Sequence, residues 1–139
     1  MENNLTSDFL GNRYSWPNTK IELDDVQALY GGIHVYLPGE TAFQAYVTRV
    51  APGGSKTKYK LPLGRQEKDA LCQLFIEQDF LSIEPEERPG IPDEARPAIT
   101  LGNYTGKTHT VSKWQGIKNE RFDAIYRALK QIGERSKDF

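Results

Sequence analysis

The chain has 139 residues, of which 37% are hydrophobic and 27% charged, and its formal net charge is -1. This length suffices for one domain whose core needs no disulfide or metal, and the near-neutral balance gives no global field that attracts nucleic acid or anionic lipid. The single cysteine excludes an internal disulfide and suits a reducing compartment. With no secretory signal at the start and no run of the roughly 18 apolar residues that a span needs, we expect a cytoplasmic protein without membrane contact.

The first thirty residues divide into an arm and an ambiguous segment. Residues 1–20 are polar but carry Phe9, Leu10, Tyr14 and Trp16, and a free tail rarely has four large apolar side chains. We therefore expect this arm to dock on a single domain formed by residues 21–139. From Ile21 to Tyr30, a capping box at residues 19–22 favours a short helix, whereas continuation into the two glycines at 31 and 32 favours a strand with a bulge.

A first hairpin is predicted between Ile33 and Val47, with its turn at residues 38–41. If Leu37 lies opposite Phe43, the apolar side chains share one face, and burial of that face forbids a slip of one residue. The predicted inner set is Ile33, Val35, Leu37, Phe43, Ala45 and Val47, and the predicted outer set is His34, Tyr36, Gln44, Tyr46 and Thr48.

A third strand is predicted from Lys56 to Leu63, where polar and apolar residues alternate strictly. Thr57, Tyr59, Leu61 and Leu63 fall on one side, and Lys56, Lys58 and Lys60 on the other. Pro62 has no N–H to donate to a ladder, so the end of this strand should lie at the edge of the sheet.

A helix is predicted from Arg65 to Phe80, with Leu71, Leu74, Phe75 and Gln78 on one stripe. The chain then enters an acidic loop at residues 84–97. Four prolines among these fourteen residues forbid a regular helix or central strand and stiffen the loop.

A second hairpin follows, in which Asn103 lies opposite Lys107 and Gly106 is left-handed. Its predicted inner side chains are Ile99, Leu101, His109 and Val111, and its outer ones are Thr100, Thr108, Thr110, Ser112 and Trp114. Asn119 should then cap a closing helix that ends at Gly133. The apolar stripe of that helix is Phe122, Ile125, Tyr126, Leu129 and Ile132.

These elements predict an α+β fold with the order βββαββα. Two amphipathic helices and one one-sided antiparallel sheet of about five strands fit together as two layers, with both helices on the apolar face and the N-terminal arm docked.

No catalytic residue, metal ligand set or cofactor motif is predicted. His34 points outward, opposite Tyr46, and His109 points inward as a histidine at the core edge bonded to backbone, so the two should not meet. Cys72 has apolar or acidic neighbours, which favours an inert thiol over a nucleophile. The neighbouring carboxylates at 24–25, 86–87 and 93–94 are better explained as solvated charge than as a converging acid–base pair.

Two features favour binding. The outer sheet face mixes aromatic and cationic side chains, a composition that single-stranded nucleic acid platforms use, although lysines on edge strands also block aggregation. The second feature is the stiff acidic loop, because a rigid segment of one charge sign loses little entropy on docking and steers toward a basic partner. The candidate partner-binding residues are Glu86, Glu87, Asp93, Glu94 and Arg96 of the loop, and His34, Tyr36, Tyr46, Lys56, Lys58, Lys60 and Trp114 of the outer face.

The leading hypothesis is a non-catalytic domain that binds an unknown protein partner through this loop or the outer face. Nucleic-acid binding through the tyrosines and lysines is the first alternative, and an enzyme of unrecognised type around His34 is the second. We expect a monomer or a weak homodimer paired through the edge strand at Lys56–Leu63.

The segment from Gly31 to Ile132 resembles uncharacterised bacterial single-domain α+β proteins. The residues that carry the resemblance are Asp79-Phe80-Leu81, Ile91-Pro92-Asp93-Glu94 and Ile99-Thr100-Leu101. The resemblance implies a similar order of elements and no particular activity. In outline the layout is also similar to small helix-on-sheet inhibitors of secreted enzymes, which is an analogy of fold alone.

Overall fold

The computed structural model describes residues 4–27, 29–39, 43–84, 96–114 and 116–138. It shows an α+β fold with one open antiparallel sheet of six strands in the order β4-β3-β2-β1-β5-β6. The strands are β1 (Lys20–Gln27), β2 (Gly31–Leu37), β3 (Gln44–Val50), β4 (Lys56–Pro62), β5 (Ala98–Gly102) and β6 (Thr108–Ser112). The α-helices are α1 (Leu5–Leu10), α2 (Arg65–Glu77) and α3 (Glu120–Glu134), and 3-10 turns cover Arg13–Asn18, Phe80–Ser82 and Arg135–Asp138.

The strand β1 corrects the predicted element order. The ambiguous segment is a strand and not a helix, so the sheet has six strands instead of five and four strands precede α2. Ile21 and Leu23 are fully buried while Glu22 between them is only half-buried, an alternation that a helix cannot provide. Since β1 pairs with both β2 and β5, it joins the two predicted hairpins into one sheet.

The register of the first hairpin differs from the predicted one by two residues. Val35 lies opposite Val47, and Tyr36 opposite Tyr46. Phe43 precedes β3 and has a φ of 50°, so the reversal is longer than predicted. His34 therefore lies opposite Thr48 and not opposite Tyr46. A shift of two residues preserves the side on which each strand residue lies, so the assignment of these strand residues to inner and outer faces is confirmed.

The second hairpin has the predicted register. Leu101 lies opposite His109, and the N–H of Asn103 donates to the carbonyl of Lys107 at 2.9 Å. Gly106 has the predicted positive φ, 92°. The side-chain oxygen of Asn103 also accepts from the backbone N–H groups of Thr105 and Lys107, at 3.1 Å each, which fixes the reversal from within.

Strand β4 is an edge strand, as Pro62 predicted. Its three lysines are exposed, and Leu61 is buried on the opposite side. The predicted alternation is therefore confirmed along most of the strand, with the exposed Thr57 as the exception among the inward positions.

The helix α2 ends at Glu77, three residues before the predicted end. Asp79 then adopts a left-handed conformation with a φ of 43°, and the chain turns into the 3-10 segment at Phe80. The buried stripe of α2 includes Leu71, Cys72 and Phe75, but also Lys68, whose ammonium is the unexpected member of an otherwise apolar surface.

The helix α3 begins as predicted, because the side chain of Asn119 accepts a hydrogen bond from the N–H of Phe122 at 3.0 Å. Gly133 lies inside this helix and does not end it. A Cβ atom at Gly133 would come within 2.5 Å of Cδ1 of Ile33 and 3.1 Å of Cγ2 of Val35. The glycine thus permits a close approach of α3 to β2.

The N-terminal arm is docked on the helix side of the molecule, against α2 and the turn that follows it. Leu10 and Trp16 are buried in the common core, whereas Tyr14 is 87% exposed and takes no part in the docking predicted for it. The side chain of Asn4 donates to the carbonyl of Ile76 at 2.5 Å. Apolar burial and a hydrogen bond to α2 therefore hold the arm against the rest of the molecule.

Candidate binding surface on the outer sheet face

The outer sheet face follows directly from the strand registers. Each pairing joins residues of the same parity, so odd-numbered strand residues share the helix side and even-numbered ones share the other. Within the described residues the helices pack on the odd-numbered side, where the core lies. No described helix covers the even-numbered side chains, which are exposed or half-buried.

The centre of this face is a row of aromatic and charged side chains that crosses four strands. Lys60 of β4 lies opposite Tyr46 of β3, and Tyr46 lies opposite Tyr36 of β2. Glu22 of β1 continues the row beside Tyr36. Tyr46 is 39% exposed, and its hydroxyl donates to Oε1 of Gln44 at 3.2 Å. A large aromatic pair thus lies between a cation and a carboxylate.

A parallel row contains the outward histidine. Lys58, Thr48, His34 and Asp24 occupy successive paired positions on the same four strands. Nε2 of His34 lies 3.2 Å from Oε2 of Glu22, and both side chains are partly exposed. A shallow depression of about 410 Å³ opens beside this histidine. Its lining residues are Asp24, Val26, His34, Thr48, Val50, Lys56 and Lys58.

The structure brings six of the predicted site residues together and places two others elsewhere. The six are His34, Tyr36, Tyr46, Lys56, Lys58 and Lys60, on the adjacent strands β2, β3 and β4; we call them the Tyr–Lys patch. Trp114 follows β6 at the opposite edge, where the guanidinium carbon of Arg96 lies 4.9 Å from its ring centroid. Five strand spacings separate β4 from β6, or about 24 Å.

The carboxylates of β1 were not among the predicted site residues. Glu22 and Asp24 lie next to the Tyr–Lys patch, and they become visible in the sequence only once residues 20–27 are taken as a strand. The patch therefore has cations along its edge strand and carboxylates along its inner border.

The acidic loop lies mostly outside the described residues. Glu86, Glu87, Asp93 and Glu94 all fall there, so the prediction that they contact a partner stays a prediction. Glu84 and Arg96, which flank them, are both exposed.

The inward histidine lies half-buried at the edge of the core, and the cysteine lies within the core. The ring of His109 meets Phe80 edge-on, with centroids 5.6 Å apart, and its buried Nε2 has no hydrogen-bond partner among the described residues. The predicted backbone bond is therefore not made by this nitrogen. Cys72 is fully buried, and burial raises the pKa of its thiol to about 11, so the reactive thiolate is disfavoured.

In the part of the chain that the structure describes, no group of three or more His, Cys, Asp or Glu side chains is placed to hold a metal ion. No described helix combines the length and the apolar character that crossing a bilayer requires.

Comparison of the chain with protein-family models, with curated proteins and with solved structures finds no match. The functional interpretation therefore depends on the geometry of the molecule.

Proposed function

We propose that this protein is a non-catalytic binding domain that docks a protein partner over the Tyr–Lys patch. The observation that supports this proposal is the partly exposed aromatic pair Tyr36–Tyr46 at the centre of a sheet face that no described helix covers. Large amphipathic aromatic side chains supply contact area with little loss of conformational entropy, and tyrosine is enriched among residues that dominate binding energy.

The charges around the aromatic pair favour a partner of mixed charge. Lys56, Lys58 and Lys60 line one side, and Glu22 and Asp24 line the other. Three strand spacings separate the two lines, or about 14 Å. A complementary partner carries acidic side chains opposite β4 and basic ones opposite β1, since complementary potentials steer association and fix the register.

Nucleic acid fits this surface less well than a protein does. A single strand would gain from the tyrosines and lysines through stacking and phosphate neutralisation. Its uniformly negative backbone would then run toward the two carboxylates of β1, where like charges repel. The net charge of -1 supplies no long-range attraction to offset this.

A site-specific photocrosslinking experiment tests the protein-binding proposal. A photoreactive phenylalanine analogue replaces Tyr46 in one variant and the exposed Tyr14 of the arm in a control variant. We expect the native host to yield a discrete adduct at position 46 that is absent at position 14. The double change Lys58→Glu and Lys60→Glu should remove the adduct, because it reverses the charge opposite the acidic part of the partner.

The same adducts at both positions, or an adduct at position 46 that survives the lysine changes, would contradict the proposal. A labelled oligo-dT titrated at low salt separates the nucleic-acid alternative, because the electrostatic contribution is largest there. If the oligonucleotide binds saturably and Tyr36→Ala weakens that binding, the patch binds single-stranded nucleic acid and not a protein.

The acidic loop is a second proposed contact. Replacing Glu86, Glu87, Asp93 and Glu94 by lysine should lower the yield of the crosslinked partner. The loop would then carry positive charge and repel a basic surface of that partner. Unchanged recovery would restrict the interface to the Tyr–Lys patch.

A second candidate function is favoured by one specific contact, the 3.2 Å approach of His34 to Glu22. A carboxylate that orients an imidazole beside an open depression is the minimal arrangement of a general base. Chromogenic ester and phosphoester substrates test it, with His34→Gln and Glu22→Gln as variants and Lys107→Gln as a control. Turnover that is lost in the first two variants alone would establish an enzyme, and rates equal to those of the control would exclude this dyad.

A further inference from the structure

A second pocket lies on the helix side of the sheet and is independent of the proposed binding face. This open pocket has a volume of about 420 Å³, which falls within the usual range for small-molecule sites. The helix α3 supplies one wall, Asp25 of β1 supplies the floor, and the approach to β5 and the exit from β6 close the side. The lining residues are Asp25, Pro97, Lys113, Phe122, Asp123, Tyr126, Arg127 and Lys130.

The carboxylates of this pocket are already engaged. The hydroxyl of Tyr126 donates to Oδ2 of Asp25 at 2.5 Å. Nζ of Lys113 lies 3.1 Å from Oδ1 of Asp123, and the Lys113 side chain is only 10% exposed. Burial, together with the Asp25 hydrogen bond and nearby carboxylates, raises the pKa of Tyr126 far above its ordinary value, so the phenol stays protonated and continues to donate.

Counting contacts among the described residues, the cations at the mouth retain unused donors. Nζ of Lys130 donates to the hydroxyl of Tyr126 at 3.2 Å, which occupies one of its three N–H groups. Arg127 is exposed at the mouth. Among the described lining residues, Lys113, Arg127 and Lys130 set against Asp25 and Asp123 leave one net positive charge.

Stability alone does not explain why charged and polar side chains surround this cavity. A buried ion pair is often no more stabilising than apolar side chains of similar volume. Here an ion pair between a buried lysine and a half-buried aspartate, together with a tyrosine–carboxylate hydrogen bond, lines a cavity instead of filling it. Titratable groups gathered in a pocket are a mark of ligand binding.

We propose that this pocket binds a small organic monocarboxylate. Its carboxylate pairs with Arg127 and Lys130, and its apolar part faces the lining formed by Phe122, Pro97 and the half-buried ring of Tyr126. The guanidinium fork matches a carboxylate in a bidentate geometry. One net positive charge suits a monoanion, whereas a phosphate dianion would meet an uncompensated charge near Asp25 and Asp123. A cation is disfavoured because both carboxylates already have partners.

Benzoate is the probe for this proposal, and amide chemical shifts of the labelled full chain are the readout. We expect saturable shifts confined to α3 and to the residues around Pro97 and Lys113. Benzamide, the neutral isostere, and inorganic phosphate should each produce shifts at least fivefold weaker at equal concentration.

Two variants test the proposed contacts. Arg127→Gln and Lys130→Gln should each weaken benzoate binding at least fivefold, because each removes a charged donor at the mouth. Lys118→Gln, in the exposed approach to α3, and Lys58→Glu, on the outer sheet face, should leave binding unchanged. Amide spectra of the unliganded variants confirm that each is folded.

The proposal is overturned by any of three results: no saturable shift, equal binding of benzamide, or benzoate binding that Arg127→Gln leaves intact. Phosphate that binds more tightly than benzoate would overturn the carboxylate assignment. None of these results bears on the outer-face proposal, since the Lys58→Glu variant separates the two surfaces.

Discussion

At the scale of single residues, Lys68 joins three parts of the molecule. It is 2% exposed, and its ammonium donates to the carbonyls of Pro17 and Pro38 at 2.9 Å each. One carbonyl belongs to the arm and the other to the connection after β2, while Lys68 itself lies on α2. A buried charge is tolerated here because carbonyl oxygens replace its water.

Replacing this ammonium should therefore destabilise the fold. We expect Lys68→Met to lower the free energy of unfolding by about 2–3 kcal/mol, since the buried carbonyl of Pro17 and the half-buried carbonyl of Pro38 lose their donor. Urea denaturation measures the loss, and Lys107→Met at an exposed site should change stability by less than about 0.5 kcal/mol. If Lys68→Met lowered the free energy of unfolding no more than the control substitution does, the role assigned to Lys68 would be contradicted.

Asp79 anchors the arm through its carboxylate. Oδ1 accepts from the backbone N–H of Thr6 at 3.0 Å and from its hydroxyl at 2.9 Å. Burial alone would raise the pKa of Asp79, but the hydrogen bonds from Thr6 and Ser82 and the charge of Arg121 together lower it below its ordinary value.

A depressed pKa in the folded state predicts a definite dependence on pH. The unfolded chain binds the proton more readily, so the stabilisation is complete above the unfolded pKa of about 4 and disappears as the pH falls through the lower folded value. We expect Asp79→Asn to be less stable than the native chain by about 1 kcal/mol at pH 7, with the difference shrinking toward pH 3. Asparagine tolerates the left-handed backbone, so a difference that is constant over this pH range would contradict the linkage.

At the scale of elements, the contact between α3 and β2 depends on the missing side chain of Gly133. An alanine in a helix interior is normally worth about 1 kcal/mol more than glycine. Here its Cβ would come within 2.5 Å of Cδ1 of Ile33. We expect Gly133→Ala to destabilise the protein by about 1–2 kcal/mol despite its better helix propensity.

A double-mutant cycle with Ile33→Val isolates that contact, because valine lacks the Cδ1 atom. In the valine background, the penalty of Gly133→Ala should shrink by more than about 0.5 kcal/mol. Equal penalties in both backgrounds, measured by urea denaturation, would show that the close approach is not the cause.

The elements also show which structural features a sequence can predict. Side-chain parity in β2, β3, β5 and β6 survived an error of two residues in one register, because alternation has a period of two. Strand β1 is ambiguous in the sequence because a capping box at residues 19–22 also favours a helix, and its acidic residues are poor strand formers. Its strand conformation is secured by pairing with β5, more than seventy residues later in the chain.

The candidate site was likewise predictable from the sequence only in part. Parity predicted the Tyr–Lys patch, but neither hairpin specifies which of its edges will join the other. The position of Trp114 far from Tyr36 and the carboxylates of β1 beside the patch both depend on that choice. The polar contacts of Lys68 could not be predicted either, because its acceptors are backbone carbonyls and a pattern of side chains does not identify them.

At the scale of the whole molecule, the arm and the domain share one core. Leu10 is fully buried with the residues of α2 and the sheet, and the 3-10 segment Arg13–Asn18 packs on α2, which carries the buried Cys72. We expect Leu10→Ala to lower the free energy of unfolding by about 3 kcal/mol and to speed the reaction of Cys72 with a disulfide reagent.

Leu5→Ala is the matched control, since Leu5 lies on the same short helix but is 58% exposed. It should leave both stability and thiol reactivity nearly unchanged. Equal reactivity in the two variants, under conditions where both are folded, would show that the arm does not protect the thiol.

The hydrogen bond that ties Thr6 to Asp79 spans 73 positions of the chain. During translation at 5–20 residues per second, Asp79 is added roughly 4–15 s after Thr6. The arm thus leaves the ribosome with Leu10 and Trp16 uncovered until α2 and the turn that follows it have emerged. For that interval the nascent chain exposes apolar side chains to chaperones, because the arm is synthesised before the elements on which it packs.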